Sequence, residues 1–457
     1  MTTLDIIDPS TLEPFDSVPL VPGDTVDGWL DEMTRLHRAK AALPAHERIA
    51  ILDRAAALMT DRRDDLAALI AREGGKPLVD ARVEADRAIA GVRLAVHELH
   101  ALAGRQIPMD LTAAGAGRMA FTAHEPIGPV VAVSAFNHPL NLVVHHVAPA
   151  VATGCPVILK PADDTPLSAR AFIDILYRAG LPPEWCRFAP TAIPVAEKMV
   201  TDPRTAFFSF IGSAKVGWML RSKLAPGTRY ALEHGGAAPV IVDAGTAPED
   251  IVAPLLKGGF YHSGQVCVSV QRVFAPRAEA RALADALAAG ANALTVGDAK
   301  TEATDCGPLI RPREVDRVAE WVAAAGDKAV VTGGKRISEA FYTPTILFDP
   351  PPEADVSTKE IFGPVICVYP YDDADEAIAR ANALPFAFQA AVFTQRLDFA
   401  ATAIAGLDAS AVMVNDHTAF RIDAMPFAGR KQSGYGTGGI GYTMRDMTEE
   451  KMAVIRL

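Results

Sequence analysis

The middle of the chain alternates short, unbroken apolar runs with longer segments of helical periodicity. VVAVSAF is followed by NLVVHHVAPAVATG, PVILK by LSARAFIDILYRAG, and RTAFFSFIG by SAKVGWMLRSKLA. A strand that is apolar on both faces must be covered on both faces, and the helices of the intervening crossovers do that. The rhythm therefore predicts an α/β fold built on doubly wound parallel sheets. It resumes past Glu233 with APVIVDA, a helix from Pro248 to about His262, and the strand VSVQRVFAP. EARALADALAAGANAL and VDRVAEWVAAAG read as further helices, ICVYPY and FQAAVFT as strands. Two α/β units in tandem are expected, with a boundary near residue 235. A chain of 457 residues, too long for one ordinary core, agrees with that division.

The flanks differ. From Thr25 to about Leu102 apolar residues recur at helical spacing, with Gly74–Gly75 as a stop. RMAFTAHEPIGPVVAVSAF reads as two strands, and the tail EKMAVIRL alternates like a terminal strand. In sheets of this kind ligands gather beyond the carboxyl ends of the strands.

Composition removes several classes of function. The net charge is −11 and no dense basic run is present, which argues against a nucleic-acid partner. Five widely spaced cysteines contain no CxxC pair, so neither a structural zinc site nor a redox dithiol is expected. His145 and His146 share a helix without i, i+4 spacing, so no metal site is expected there either. The N-terminus lacks a basic-then-apolar pattern, and no apolar run approaches the ~20 residues of a membrane span. A soluble, cytoplasmic chain is the expectation.

Five segments could carry chemistry. In GFYHSGQVCVSVQRV, Cys267 sits between a Gly-containing turn and a strand, where its thiolate could attack a carbonyl and its own N–H could hold the oxyanion. A buried, inert thiol is the commoner fate of such a residue. Glu233, before Gly235–Gly236, could activate water as a general base or be a solvated turn residue. Asn137, after an apolar strand, could donate to a developing oxyanion or cap a turn. Lys160 and Asp163, at the end of PVILK, could hold ribose hydroxyls or form a loop ion pair. Gly212 and Gly217 bracket a strand-to-helix turn suited to a pyrophosphate, a weak signal by itself because it is not GxGxxG.

In this order, together with EIFGPV at 360–365 and MPFAGRKQSGYG at 425–436, the segments resemble the NAD(P)-dependent aldehyde dehydrogenase superfamily from about Arg48 to the C-terminus. Cys267 lies 34 positions after Glu233, a separation typical of that family. The resemblance implies two Rossmann-like α/β domains, cofactor-binding over 1–107 and 127–235 and catalytic over 236–425. A small oligomerisation element would use strands at 108–126 and 441–457, giving a homodimer or homotetramer. By the same resemblance, Cys267 would be the nucleophile, Asn137 the oxyanion donor and Glu233 the base that hydrolyses a thioester. Lys160 and Asp163 would bind the adenosine ribose, and Gly212, Ser213 and Gly217 the pyrophosphate. Ser134, Phe136, Glu360 and Phe362 would lie about the rest of the cofactor, Glu360 on the nicotinamide ribose.

Several positions depart from the family pattern. Phe136 stands where Trp is usual, His234 where Leu is usual, and Thr437–Gly438 where Arg–Glu is usual. Asp163 replaces Glu, and a carboxylate there repels a 2′-phosphate, so NAD is favoured over NADP. The substrate channel would be lined by His138, Leu142, Val266, Val268, Arg421 and Phe427. FRIDAMPFAG resembles the branch acting on small oxygenated or anionic aldehydes, such as lactaldehyde, glyceraldehyde 3-phosphate, phosphonoacetaldehyde and sulfolactaldehyde. Arg421 could meet an anionic substrate end, but pairing with Asp423 is favoured; Arg118 reads as a surface cation. A broad-range aldehyde dehydrogenase is the alternative. A coenzyme A-acylating relative generally lacks the base that Glu233 supplies, and a non-catalytic fold member would have lost Cys267, Asn137 or Glu233.

Overall fold

The computed structural model describes residues 2–457. Two mixed sheets form its frame. The first has six strands in the order Gly434–Tyr435, Arg229–Glu233, Phe207–Ile211, Val130–Val133, Val157–Lys160, Cys186–Phe188. All its pairings are parallel except that of Gly434–Tyr435. Side chains alternate between two cores, as the pleat demands. Val130 and Ala132 face helices Asn141–Thr153, Pro166–Arg178 and Leu78–Ala101. Val131 faces helix Gly23–Arg38 and the opposite core.

The second sheet has seven strands, in the order Val330–Thr332, Thr345–Phe348, Val365–Tyr371, Val270–Pro276, Ala238–Val242, Gln389–Phe393, Ala411–Val414. Only the edge strand Val330–Thr332 runs antiparallel. Helices Pro248–Phe260 and Arg277–Ala293 cover one face, and Pro312–Ala324, Ala374–Asn382 and Leu397–Gly406 the other.

A third sheet joins Thr448–Arg456, Arg118–Pro126 and Gln106–Ile107 in antiparallel order. Its strands are shorter than the sequence suggests. Residues 441–446 belong to helix Ile440–Asp446, because Ile440 and Met444 are drawn into the first core. Ahead of Arg118 the chain makes a 3₁₀ turn at Ala113–Gly115 instead of extending the strand. The segment from Thr25 to Leu102 forms four helices, and the hairpin Thr3–Asp8/Glu13–Pro19 before them was not anticipated. Strand Val130–Val133 ends earlier than VVAVSAF suggests, which frees residues 134–140 to form a loop at its carboxyl end.

Candidate active site

A cavity of about 830 Å³ lies between the two large sheets. Cys267 reaches it through an unusual reversal of the chain. After helix Pro248–Phe260, three successive residues are left-handed, His262 (φ 48°), Ser263 (φ 56°) and Gly264 (φ 73°). Gly264 is obligatory, since a Cβ there would stand 2.1 Å from the Gly363 carbonyl oxygen. The loop is then pinned by side chains. Ser263 Oγ donates to the Gly307 carbonyl (2.7 Å), and Gln265 Oε1 accepts from the Ile310 N–H (2.9 Å). Cys267 is half-buried, and its N–H has no partner among the backbone hydrogen bonds.

Asn137, buried in the loop after Val133, uses Nδ2 to donate to the Gln265 carbonyl at 3.0 Å. That bond orients the amide and leaves its second N–H available beside the Cys267 loop. Glu233 closes strand Arg229–Glu233, and a Cβ on Gly438 would lie 3.0 Å from its Oε2. Burial pushes the Glu233 carboxyl up to about 7, while Arg421 pulls the other way. Burial also raises Glu360 to about 8. The same burial, then the carboxyls of Glu233 and Glu360, push the Cys267 thiol far up. A thiol in that state needs a proton acceptor before it can attack, and Glu233 titrates in the range that suits one.

At the other end of the cavity Lys160 Nζ donates to Asp163 Oδ1 at 2.5 Å. Ser213 precedes helix Ala214–Arg221, whose N-terminus opens on the cavity beside Gly212. The rings of Phe136 and Phe362 meet edge to face at 5.8 Å. Two buried oxygens here lack partners, Ser134 Oγ and Glu360 Oε1.

Residues 1–453 match the model of the aldehyde dehydrogenase family. The chain belongs to that family. It is 35% identical over 421 residues to 3-sulfolactaldehyde dehydrogenase of Priestia aryabhattai, an alignment covering 92% of this chain and 88% of the relative. Among solved structures, aldehyde dehydrogenase 21 of Physcomitrella patens, in complex with the reaction product succinate, superposes with a TM-score of 0.96 at 35% identity. That superposition covers 100% of this chain and 95% of the other. Glyceraldehyde-3-phosphate dehydrogenase of Methanocaldococcus jannaschii, complexed with NADP, gives 0.94 at 31%, covering 99% of each chain.

Within this family member, the residues assigned from the sequence to catalysis, cofactor and substrate channel all line the cavity except Gly217, and Arg118 does not reach it. Gly217 lies behind the wall, where a Cβ would stand 2.0 Å from Cε1 of His234. His234 fills that space, with Nδ1 2.8 Å from the Gly212 carbonyl oxygen and its ring between Phe210 and Trp218. Arg118 is exposed on the third sheet.

The expected pair of Arg421 with Asp423 does not form. Asp423 is taken by Arg87 through two bonds (3.0 and 2.8 Å), by His145 Nε2 (2.8 Å) and by Asn141 Nδ2 (3.0 Å). Arg421 lies over the Phe427 ring, 3.6 Å from its centroid, and its buried Nε has no partner. It is a guanidinium in the cavity wall without a salt bridge among the described residues.

Two groupings escaped the sequence reading. Arg311 and Asp164 form a bidentate ion pair (2.5 and 2.7 Å) that ties the two large units together beside the Lys160–Asp163 pair. Lys76 and Glu84, both fully buried, pair behind His138. The only sequence signal for the second was a Lys after Gly74–Gly75, placed where a helix was about to start.

Proposed function

We propose that the chain oxidises a small anionic or oxygenated aldehyde to its carboxylic acid, with NAD(P) as hydride acceptor. The observation that carries this reading is the convergence in one cavity of a thiol, a carboxyl that titrates near neutrality and two free N–H donors. Glu233 accepts the Cys267 proton, and Sγ adds to the aldehyde carbon to give a thiohemiacetal. The Cys267 N–H and the Asn137 amide hold the oxyanion, a contribution of about 10²–10³-fold for one such donor. When bound, the nicotinamide supplies a hydride acceptor. Loss of hydride from the thiohemiacetal carbon leaves the Cys267 thioester. Glu233, once it has given its first proton to solvent, takes one from water, which attacks the thioester, releases the acid and returns Sγ as a thiolate.

The unpartnered Ser134 Oγ and Glu360 Oε1 and the open helix end at Ser213 fit a dinucleotide. Lys160 and Asp163 would hold its adenosine ribose, and Glu360 the nicotinamide ribose. Phe362 would pack beside the nicotinamide. The Asp163 carboxylate favours NAD over a 2′-phosphorylated cofactor. Residues 1–107 and 127–235 would then form the cofactor domain and 236–425 the catalytic one, with the third sheet joining copies of the chain.

The unpaired Arg421 supports an anionic substrate end. The names of the similar proteins point the same way, to a sulfonated aldehyde, succinate and a phosphorylated aldehyde. NADH formation across short neutral and anionic aldehydes tests this. A preference for an anionic aldehyde that falls by at least tenfold in Arg421→Met is expected. Equal turnover of simple apolar aldehydes would make the enzyme broad-range and leave Arg421 a packing role. Cys267→Ser is the control, with turnover lowered by orders of magnitude.

A further inference from the structure

Beside the oxyanion donor stands His138, a buried imidazole whose surroundings decide which nitrogen carries its proton. Lys76 Nζ lies 2.8 Å from His138 Nδ1. Lys76 is fully buried and donates to Glu84 Oε2, while Glu84 Oε1 accepts the N–H groups of Leu140 (2.9 Å) and Asn141 (3.1 Å). A buried carboxylate receiving three donors stays ionised, held well below the usual carboxylate range, and it favours the ammonium form of Lys76 against the lowering that burial causes. An ammonium has no lone pair, so Nδ1 must be the acceptor and Nε2 must carry the hydrogen. Burial keeps the ring neutral, its ionisation lowered to about 4. Among the described residues Nε2 has no hydrogen-bond partner, and the ring, not fully buried, forms part of the cavity wall.

We propose that His138 is a fixed hydrogen-bond donor that selects short aldehydes carrying an acceptor oxygen on their carbon chain, with the Lys76–Glu84 pair locking its tautomer. The proposal rests on the aldehyde-oxidising reading and narrows it. Lys76 is a positioning residue. Glu84 Oε2 is itself 3.5 Å from Nδ1, so without the ammonium the carboxylate would capture Nδ1–H and turn Nε2 into an acceptor. The other groups facing the ring do not compete. Tyr261 stacks on it at 5.9 Å and keeps its proton, buried His262 is neutral, and Arg87 is engaged by Asp423.

The test compares kcat/KM for 2-hydroxypropanal, 3-hydroxypropanal and propanal with NAD. Wild-type enzyme should favour at least one hydroxylated aldehyde by ~10- to 100-fold, the effect of leaving a desolvated donor unpaired. His138→Phe should bring that ratio close to one, and His138→Gln, which keeps a donor, should restore part of it. In Lys76→Met the preference should become pH-dependent. It should survive where the ring is protonated on both nitrogens and vanish as pH rises and Nδ1–H turns to Glu84. A preference that survives in His138→Phe, or its absence in the wild type, overturns the proposal. Nitrogen NMR of wild type against His138→Phe reads the tautomer without any turnover. Nε2–H is expected between about pH 6 and 9, and an Nδ1–H ring or one titrating near 6.5 overturns the lock. An enzyme that oxidises no aldehyde sinks the functional reading and the selectivity with it, and the spectrum then decides the lock separately.

Discussion

At the scale of single residues, the cavity holds a carboxyl poised at neutrality without a hydrogen-bonding partner to hold it there. Glu233 is raised to about 7 by burial. With its charged form as the base of the proposed reaction, kcat/KM should rise with pH through about 7 and level off above. Gly438 matters here because the Glu233 Oε2 lies where a side chain at 438 would begin. A carboxylate introduced by Gly438→Glu would oppose ionisation of Glu233, and the rising limb should move up by about one pH unit. Gly438→Gln, equal in size and uncharged, should not reproduce the move. Equal profiles for Glu and Gln would show crowding rather than charge at work. Residue chemistry was partly legible beforehand. Cys267, Glu233 and Asn137 each sit at a turn or strand end, which the string itself marks. The partner of Arg421 was not legible, because Asp423 is claimed by Arg87, 336 positions away.

Between elements, close approach is decided by what glycine leaves room for. Helix Ala214–Arg221 packs on strand Arg229–Glu233 only because Gly217 admits the ring of His234. Gly217→Ala gains helix propensity of about 1 kcal/mol but drives a methyl into a buried ring, an overpacking cost of about 1–3 kcal/mol. Its thermal midpoint should fall. In a His234→Ala background the same change should raise the midpoint, because the obstacle is gone and the propensity remains. An identical shift in both backgrounds would remove the contact from the explanation. The strands and helices around this contact were readable because a parallel strand covered on both faces must be apolar throughout. The contact itself was not, since a glycine in FSFIGSAKVG and a histidine in LEHGG carry no mark of meeting. The family resemblance, and not the residue pattern, put residues 441–446 in a strand: IGYTMRD turns helical so that Ile440 and Met444 can enter the first core.

Across the whole molecule, the third sheet is the part left uncovered. Thr448–Arg456 is a nine-residue edge strand, and Met452, Val454 and Ile455 on it are exposed, as are Met119 and Phe121 on its neighbour. A long apolar edge in water invites pairing, and proteins that stay monomeric blunt it with bulges, proline or inward charge. Ile455 lies opposite Met119 and Ala453 opposite Phe121, so one face carries a contiguous apolar ladder. A second copy of the chain presents the same ladder, which makes a self-complementary contact the simplest way to cover it. Light scattering should therefore give at least two chains per particle for the wild type. Phe121→Lys with Ile455→Lys should reduce this to one, since like charges from both copies would face each other across the contact. A wild type that scatters as a single chain would leave the ladder bare in solution and assign this sheet no part in assembly.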